Sequence, residues 1–333
     1  MLVEAYLTGI LPRSGKALES GSALLKGRES KDNFQSILER ETLEIIRLQQ
    51  NLGFDYIIDG QLFWHDFLRP IAGALQLYPE DSNEDENPVT RQIYTNTFYR
   101  KPLIRNKISL TKKIVYEKFF DLMQKGKRKV ILPSPFALLY LSDGMHKNAD
   151  GSINRDAFIE LLTNAADILN QEAKSLVEES QVSFVQFNEP CLAYANETKF
   201  LWEAIVDSLK SAKKNLNAIT SLHLYNGDVS KFLPELLEFP VDRIGIDPYT
   251  TNLSKFMGTS INKFLEIGIV NSRNSLVEEP ELLAKCCKSI REELNPAGLA
   301  IVPNRPLELV PGEIAIKKIE SMAKAANILN QNE

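Results

Sequence analysis

Residues 219–251 read ITSLHLYNGDVSKFLPELLEFPVDRIGIDPYTT, and their pattern decides the fold. A short apolar run, 219–222, stops on His223. Asn226-Gly227-Asp228 supplies a turn, with Asp228 placed to cap a helix from Val229 to about Glu238. Pro240 ends that helix, and a second short run, 243–246, stops on Asp247. Strand, turn, helix, strand, turn is the unit of a parallel α/β fold. Both strands deliver a polar residue at their carboxyl end, which in a (β/α)8 barrel is the active face. His223 and Asp247 are therefore the first candidates for chemistry.

The same unit recurs on both sides of this stretch. Short Val/Ile/Leu-rich runs at 3–7, 56–58, 129–132, 182–187, 265–270 and 299–302 bring the strand count to eight. They lack clean alternation, as expected for a parallel sheet covered by helices. Helices are expected over 31–51, about 110–125, 155–179, 198–213, 279–293 and 314–329. In the first of these, Phe34, Ile37, Leu38, Ile45, Leu48 and Leu52 fall at helical spacing, and Gly53 sits where a terminating glycine belongs. Residues 79–88 (PEDSNEDENP) are too poor in apolar side chains to be core. Residues 91–100 alternate and favour β-structure, so a surface loop and arm at about 79–105 interrupts the repeat. A doubly wound open sheet shares this alternation, but no Gly-rich phosphate loop follows the first strand. One (β/α)8 barrel domain over 1–333 is the fold expected.

The 333 residues are 44% hydrophobic and 25% charged, with a formal net charge of −5 and a pI near 5.5. An acidic balance without basic clusters gives no reason to expect a nucleic-acid partner. No apolar run approaches the roughly 18 residues needed to span a bilayer, and the first residues lack the pattern of a signal peptide. Cys191, Cys286 and Cys287 are too few for a disulfide framework, which points to the cytoplasm.

Several strand ends carry candidate site residues. Gln186, Asn188 and Glu189 follow the fourth strand, where an amide and a carboxylate hold a small polar ligand by paired hydrogen bonds, unless Glu189 merely pairs within the mouth. His223 with Tyr225 invites a metal reading, but Tyr225 is a poor zinc ligand, which favours His223 as a hydrogen-bonding pocket residue. His65-Asp66 is either an acid/base or anion-handling pair or a turn in which Asp66 is only a cap. After the first strand, Thr8 and Gly9 lead to Arg13 and Lys16, which either meet an anionic tail or are simply solvated. Arg273 and Arg305, with Asn304, end neighbouring strands and suit a carboxylate, because a guanidinium binds one bidentately.

With these residues quoted, the chain resembles the cobalamin-independent methionine synthase family, within the methionine synthase/UROD-like superfamily of barrels, over nearly its whole length. Val185-Gln186-Phe187-Asn188-Glu189-Pro190 is similar to the family's Gln-Ile-Asp-Glu-Pro, and Leu132-Pro133-Ser134-Pro135-Phe136 to its Gly-Pro-Val-Thr-Phe. Gly268-Ile269-Val270-Asn271-Ser272-Arg273-Asn274 and Leu307-Glu308-Leu309-Val310-Pro311 look more like the amino-terminal of the family's two barrels. In the carboxyl-terminal barrel a zinc ion on His, Cys, Glu and Cys activates the homocysteine thiolate. Carried over, the His matches His223, the first Cys falls on Tyr225, the Glu on Asp247 and the second Cys on Arg305. The acidic residue that holds the homocysteine amino group falls on Asn188.

The resemblance thus implies an amino-terminal-type barrel taking part in methyl transfer to a thiol such as homocysteine, as a methyltransferase or the donor-binding subunit of one. His223, Asp247 and Glu189 are the expected catalytic set, around a small-molecule substrate. No tightly held cofactor is expected, and no zinc, His223 being the only good ligand. The methyl donor, folate or corrinoid, is left open. The alternative is a non-catalytic barrel packing on a separate zinc-bearing carboxyl-terminal-type barrel. A third is a barrel serving another small-molecule reaction, since fold does not set chemistry.

Overall fold

The computed structural model describes residues 2–78, 88–91, 98–110, 112–114, 116–123 and 125–331. Seven strands form one parallel sheet: β1 (Val3–Ala5), β2 (Arg128–Pro133), β3 (Val182–Glu189), β4 (Ile219–Leu224), β5 (Arg243–Ile246), β6 (Phe264–Val270) and β7 (Gly298–Pro303). Their spatial order is β2-β3-β4-β5-β6-β7-β1, so β1 lies beside β7. The register sets Asn188 beside His223 and His223 beside Gly245.

The sheet curls on itself. Lys129 of β2 donates from Nζ to the carbonyl of Leu7, just past β1, at 2.9 Å. The Tyr6 ring stands 5.4 Å from that of Phe184 on β3. Between the two edges, Asp55 N–H donates to Ala5 O at 3.3 Å and Ile57 N–H to Lys127 O at 2.9 Å. The expected strand at 56–58 is reduced to a single bridge between Ile57 and Arg128. The cause is the side-chain amide of Gln49, which takes both backbone groups of Ile58: Nε2 donates to Ile58 O at 2.7 Å and Oε1 accepts from Ile58 N at 3.1 Å. With those groups occupied, the ladder cannot extend.

Nine α-helices lie among the described residues: α1 (Gly15–Leu25), α2 (Lys31–Asn51), α3 (Arg69–Ala74), α4 (Glu117–Leu122), α5 (Pro135–Tyr140), α6 (Arg155–Ser180), α7 (Thr198–Ala212), α8 (Pro280–Leu294) and α9 (Gly312–Gln331). The expected helix at 31–51 is α2, and α6 to α9 lie where expected to within two residues at either end. Two expectations fail. Of the helix expected over about 110–125, the described residues show α4 alone, and Ile114 N–H donates to the Glu172 carboxylate instead of a helical carbonyl. The helix over 229–238 is two 3₁₀ turns, Ser230–Phe232 and Glu235–Glu238. Pro234 has no N–H to continue a helix through the gap. Asp228 still caps: Oδ1 accepts from Ser230 N at 2.9 Å. The expected arm exists as Val89–Arg91 antiparallel to Phe98–Arg100, while residues 79–87 of the expected surface loop lie outside the described residues.

The main core fills the space between sheet and helices, and a second cluster inside the curl contains Tyr6, Tyr56, Phe184, Ala300 and Val302. Burial on both faces explains the unbroken apolar strands, each large side chain contributing about 1.5–3 kcal/mol. Among the described residues no helix is long and apolar enough to cross a membrane.

Candidate functional site

Charged residues inside apolar strand runs reveal what the curl encloses. Arg243 on β5 pairs with the Glu4 carboxylate of β1 and donates to the Tyr6 hydroxyl at 2.9 Å. The Tyr6 hydroxyl donates to Glu266 of β6 at 3.1 Å. Lys129 lies 4.0 Å from the Tyr6 ring centroid and 4.6 Å from that of Phe184. Complete burial pushes the Lys129 ammonium down to about 7. Glu266, also fully buried, is held below the usual carboxylate range because His223, Lys129 and Arg243 together outweigh its desolvation.

Above this column lies the cluster at the strand ends. The His223 ring is fully buried, with Nε2 3.1 Å from the carbonyl of Asn304 and Nδ1 3.5 Å from Glu266 Oε2. Nε2 is thus hydrogen-bonded to the Asn304 carbonyl, while Nδ1 has no hydrogen-bond partner among the described residues. Two glycines make room. A β-carbon on Gly245 would collide with the His223 ring, and one on Gly268 with the backbone of Asn304.

Asn304 is the hub of the cluster. Its Oδ1 accepts from the Ser272 amide and hydroxyl, both at 2.9 Å, and its Nδ2 donates to Asp247 at 3.2 Å. Asp247, itself fully buried, also accepts from Tyr249 N at 3.0 Å and Arg273 at 3.3 Å. Arg305 donates to Ser272 Oγ at 3.1 Å and to Asn226 Oδ1 at 3.5 Å. The Tyr225 ring lies 5.8 Å from that of His223. Thus His223, Tyr225, Asp247, Arg273, Asn304 and Arg305 come together as expected, with Asn304 rather than Arg305 in contact with His223.

A second group surrounds Thr8. Its carbonyl accepts from Gln186 Nε2 at 3.0 Å and Asn188 Nδ2 at 3.2 Å, and its hydroxyl donates to Pro303 O at 3.2 Å. Gly9 is pressed against the Pro306 ring. The Glu189 carboxylate accepts from Cys191 N at 2.7 Å, from Leu192 N at 2.9 Å and from the Ser134 hydroxyl. It ties the loop after β3 to the cap of α5. Burial pushes its carboxyl up to about 7, against the opposing pull of those hydrogen bonds.

Arg13 and Asp66 turn out to be structural. The Arg13 guanidinium donates to Leu62 O at 2.8 Å and Trp64 O at 2.9 Å. Asp66 accepts from Leu68 N at 2.9 Å and Arg69 N at 2.7 Å, and pairs with the Arg69 side chain at 3.0 Å. This is the turn-capping role, with His65 exposed beside it. Lys16 is exposed in the first turn of α1. A groove of about 800 Å³ on the helical layer, between Arg155 of α6 and Trp202 of α7, touches none of these residues.

The four positions aligned with the zinc set do not fit that ion. His223 is fully buried with Nε2 on the Asn304 carbonyl, Asp247 is held by Arg273 and Asn304, and Tyr225 and Arg305 stand where thiolates would be needed. A guanidinium repels a dication at short range. Cys191 Sγ accepts from the Tyr194 hydroxyl at 3.1 Å. Among the described residues no three His, Cys, Asp or Glu side chains are grouped to hold a metal.

Sequence reading missed Lys129, Arg243, Glu266 and Asn226. The signal for the first three was a charge inside an apolar strand run. Asn226 read only as a turn residue, and its φ of 69° agrees with that.

Comparison with known proteins gives a consistent result. A family model described as "Cobalamin-independent synthase, N-terminal domain" matches residues 11–295. A methionine synthase of Sulfurisphaera tokodaii is 22% identical over 335 residues, covering 99% of this chain and 93% of the relative. One from Saccharolobus solfataricus is 23% identical, covering 99% and 96%. Among solved structures, a B12-independent methionine synthase from Shewanella sp. W3-18-1 in complex with selenomethionine superposes with a TM-score of 0.77 at 16% identity, covering 100% of this chain and 99% of that one. A putative vitamin-B12-independent methionine synthase from Listeria monocytogenes gives 0.69 at 17% identity, covering 99% of each chain.

Proposed function

The chain belongs to the cobalamin-independent methionine synthase family, matching its N-terminal domain, and from this premise we propose that it takes part in methyl transfer to a thiol such as homocysteine, as the barrel that binds the methyl donor. The observation that carries this reading is the charge at the strand ends. Where a thiolate–zinc site would need soft anionic ligands, Arg305 lies buried beside Asp247, Asn304 and Arg273. Such a cluster favours an anionic organic ligand over a metal cation. The selenomethionine bound by the Shewanella protein is itself an amino acid with a carboxylate, which agrees with ligands of this class.

On this reading the curled sheet, with residues 55–58 between its edges, is a full (β/α)8 barrel. The chain holds no zinc of its own and works beside a separate zinc-bearing barrel of the carboxyl-terminal type, which activates the thiol. The donor is a methyl-folate or a methyl-corrinoid. The test is methionine formation from homocysteine with each donor, using this chain, a zinc-bearing barrel, and both together. Turnover with one donor only when both proteins are present is the expected result. A zinc-bearing barrel equally active without this chain overturns the proposal. A chain that restores activity without binding either donor would instead be a supporting partner.

A further inference from the structure

Arg305 is only 8% exposed, yet among the described residues its guanidinium is hydrogen-bonded to neutral oxygens alone, Ser272 Oγ and Asn226 Oδ1. A buried guanidinium without a hydrogen-bonded carboxylate is costly, since its charge loses water and gains no matching anion. The nearby Asp247 does not supply one, because its oxygens are taken by Arg273, Asn304 and Tyr249.

The second observation is independent. Asn226 is 3% exposed, and its Nδ2 has no acceptor. The residue sits in the left-handed region, and the next residue, Gly227, is packed so closely on Ala193 that a β-carbon there would lie 2.6 Å from the Ala193 β-carbon. The amide oxygen accepts from Arg305 at 3.5 Å, which leaves the unpaired NH₂ beside the guanidinium. Two buried donor groups, one cationic and one neutral, thus lie side by side, and among the described residues no carboxylate is hydrogen-bonded to either.

We infer that Arg305 and Asn226 together form a seat for a ligand carboxylate, the guanidinium and the amide NH₂ each donating to it. This rests on the donor- and substrate-binding reading above and names a group by which the ligand is held. A carboxylate matches both donors at once, as two acceptor oxygens on one planar group. It also brings Arg305 a directly hydrogen-bonded carboxylate, of which it has none among the described residues. Burial and the neighbouring Arg273 charge lower the Arg305 pKa, while Tyr225, Asp247 and Glu308 oppose that shift. An arriving anion relieves both burdens. Two sources share this chemistry: the α-carboxylate of an amino acid such as methionine, and the glutamyl carboxylates of a folate.

The experiment is calorimetric titration of the whole chain with two matched pairs of probes. L-methionine is set against L-methioninol, which lacks the carboxylate. A methyl-folate is set against the same methyl-pterin without its glutamyl group. The expected result is that one member of one pair binds, and that removing its carboxylate weakens binding roughly tenfold to a hundredfold, the range for a charged hydrogen bond. Arg305→Ala and Asn226→Asp are each expected to lose binding by a similar factor. Asn226→Asp carries a second readout that needs no ligand: its new carboxylate pairs with Arg305 in place of the missing anion. It should raise the thermal midpoint of the free protein, and Arg305→Ala in the same chain should abolish the gain. Equal binding of both members of each pair overturns the inference, as does unchanged binding by folded Arg305→Ala, or no binding of any probe with no gain in Asn226→Asp. Failure of methionine formation with intact carboxylate binding would instead remove only the methyl-transfer reading.

Discussion

Gly245 stands directly beside His223 on the neighbouring strand, and the imidazole occupies the space its missing β-carbon leaves. Gly245→Ala is expected to destabilise the fold by about 1–3 kcal/mol, the range for overpacking a dense interior. Displacement of His223 from Glu266 and Asn304 should accompany it. Gly73→Ala is the control. Nothing lies within 4 Å of a β-carbon there, and the residue is inside α3, so stability should rise by up to about 1 kcal/mol. Urea unfolding of the two variants beside wild type decides the matter, and equal midpoints would refute the packing argument.

Lys129 gives a pH-dependent prediction. Its pKa is pushed down to about 7 by burial, from 10.5. Between those values the unfolded chain holds a proton that the folded chain does not, so this residue's contribution to stability rises with pH. Below pH 7 both states are protonated and the cost of burying the cation is fully felt. The difference in urea midpoint between wild type and Lys129→Met should therefore shift in favour of wild type from pH 7 to pH 9. A pH-independent difference would show that the amine keeps an ordinary affinity for protons.

Asp59 has the opposite sign. Burial raises its carboxyl to about 7 from 3.8. Between those values the folded state holds the extra proton, so its contribution falls as pH rises toward 7 and is lowest above it. Asp59→Asn keeps an acceptor for Gln61 N–H, which now donates at 2.9 Å. The variant is expected to gain on wild type steadily from pH 4 to pH 8 in thermal melts. An advantage largest in acid would contradict the assignment.

Arg13, just before the cap of α1, and Lys16, in its first turn, should behave differently. Arg13→Ala removes two charge-assisted bonds to Leu62 and Trp64 and is expected to cost about 1–3 kcal/mol. Lys16→Ala should leave the unfolding midpoint where it is. Comparable losses in both would mean that the segment is held by net charge and not by those carbonyls.

How much was legible depended on which force shaped each element. Helix α2 could be placed over 31–51 because Phe34, Ile37 and Leu38 form a stripe that the core demands. The Ser- and Gly-bearing α1 has no such stripe, with only Ala17 and Ser20 buried, and it went unread. The segment at 56–58 looked like a strand by composition. Its backbone partner is the side chain of Gln49, which local patterns do not reveal. At the site, strand-end positions identified His223, Asp247, Asn304 and Arg305 because parallel topology alone brings them together. The duties of Glu189 and Asp66 were not legible, since whether a carboxylate faces a ligand or a backbone amide depends on loop geometry. Asn226 was hidden for the same reason.

The pairing of Val3 with Leu299 also has a consequence for biogenesis. Strand β1 finds its sheet neighbour β7 only after the intervening strands β2 to β6 have been synthesised. Glu4 must likewise wait for Arg243, and the Leu7 carbonyl for Lys129. A nascent chain would therefore carry an unpaired Glu4 until Arg243 has emerged and an open sheet edge until β7 has. Closing so distant a contact is intrinsically slow and leaves the intermediate prone to association. The step that seals the interior is thus the one most dependent on chaperone shelter.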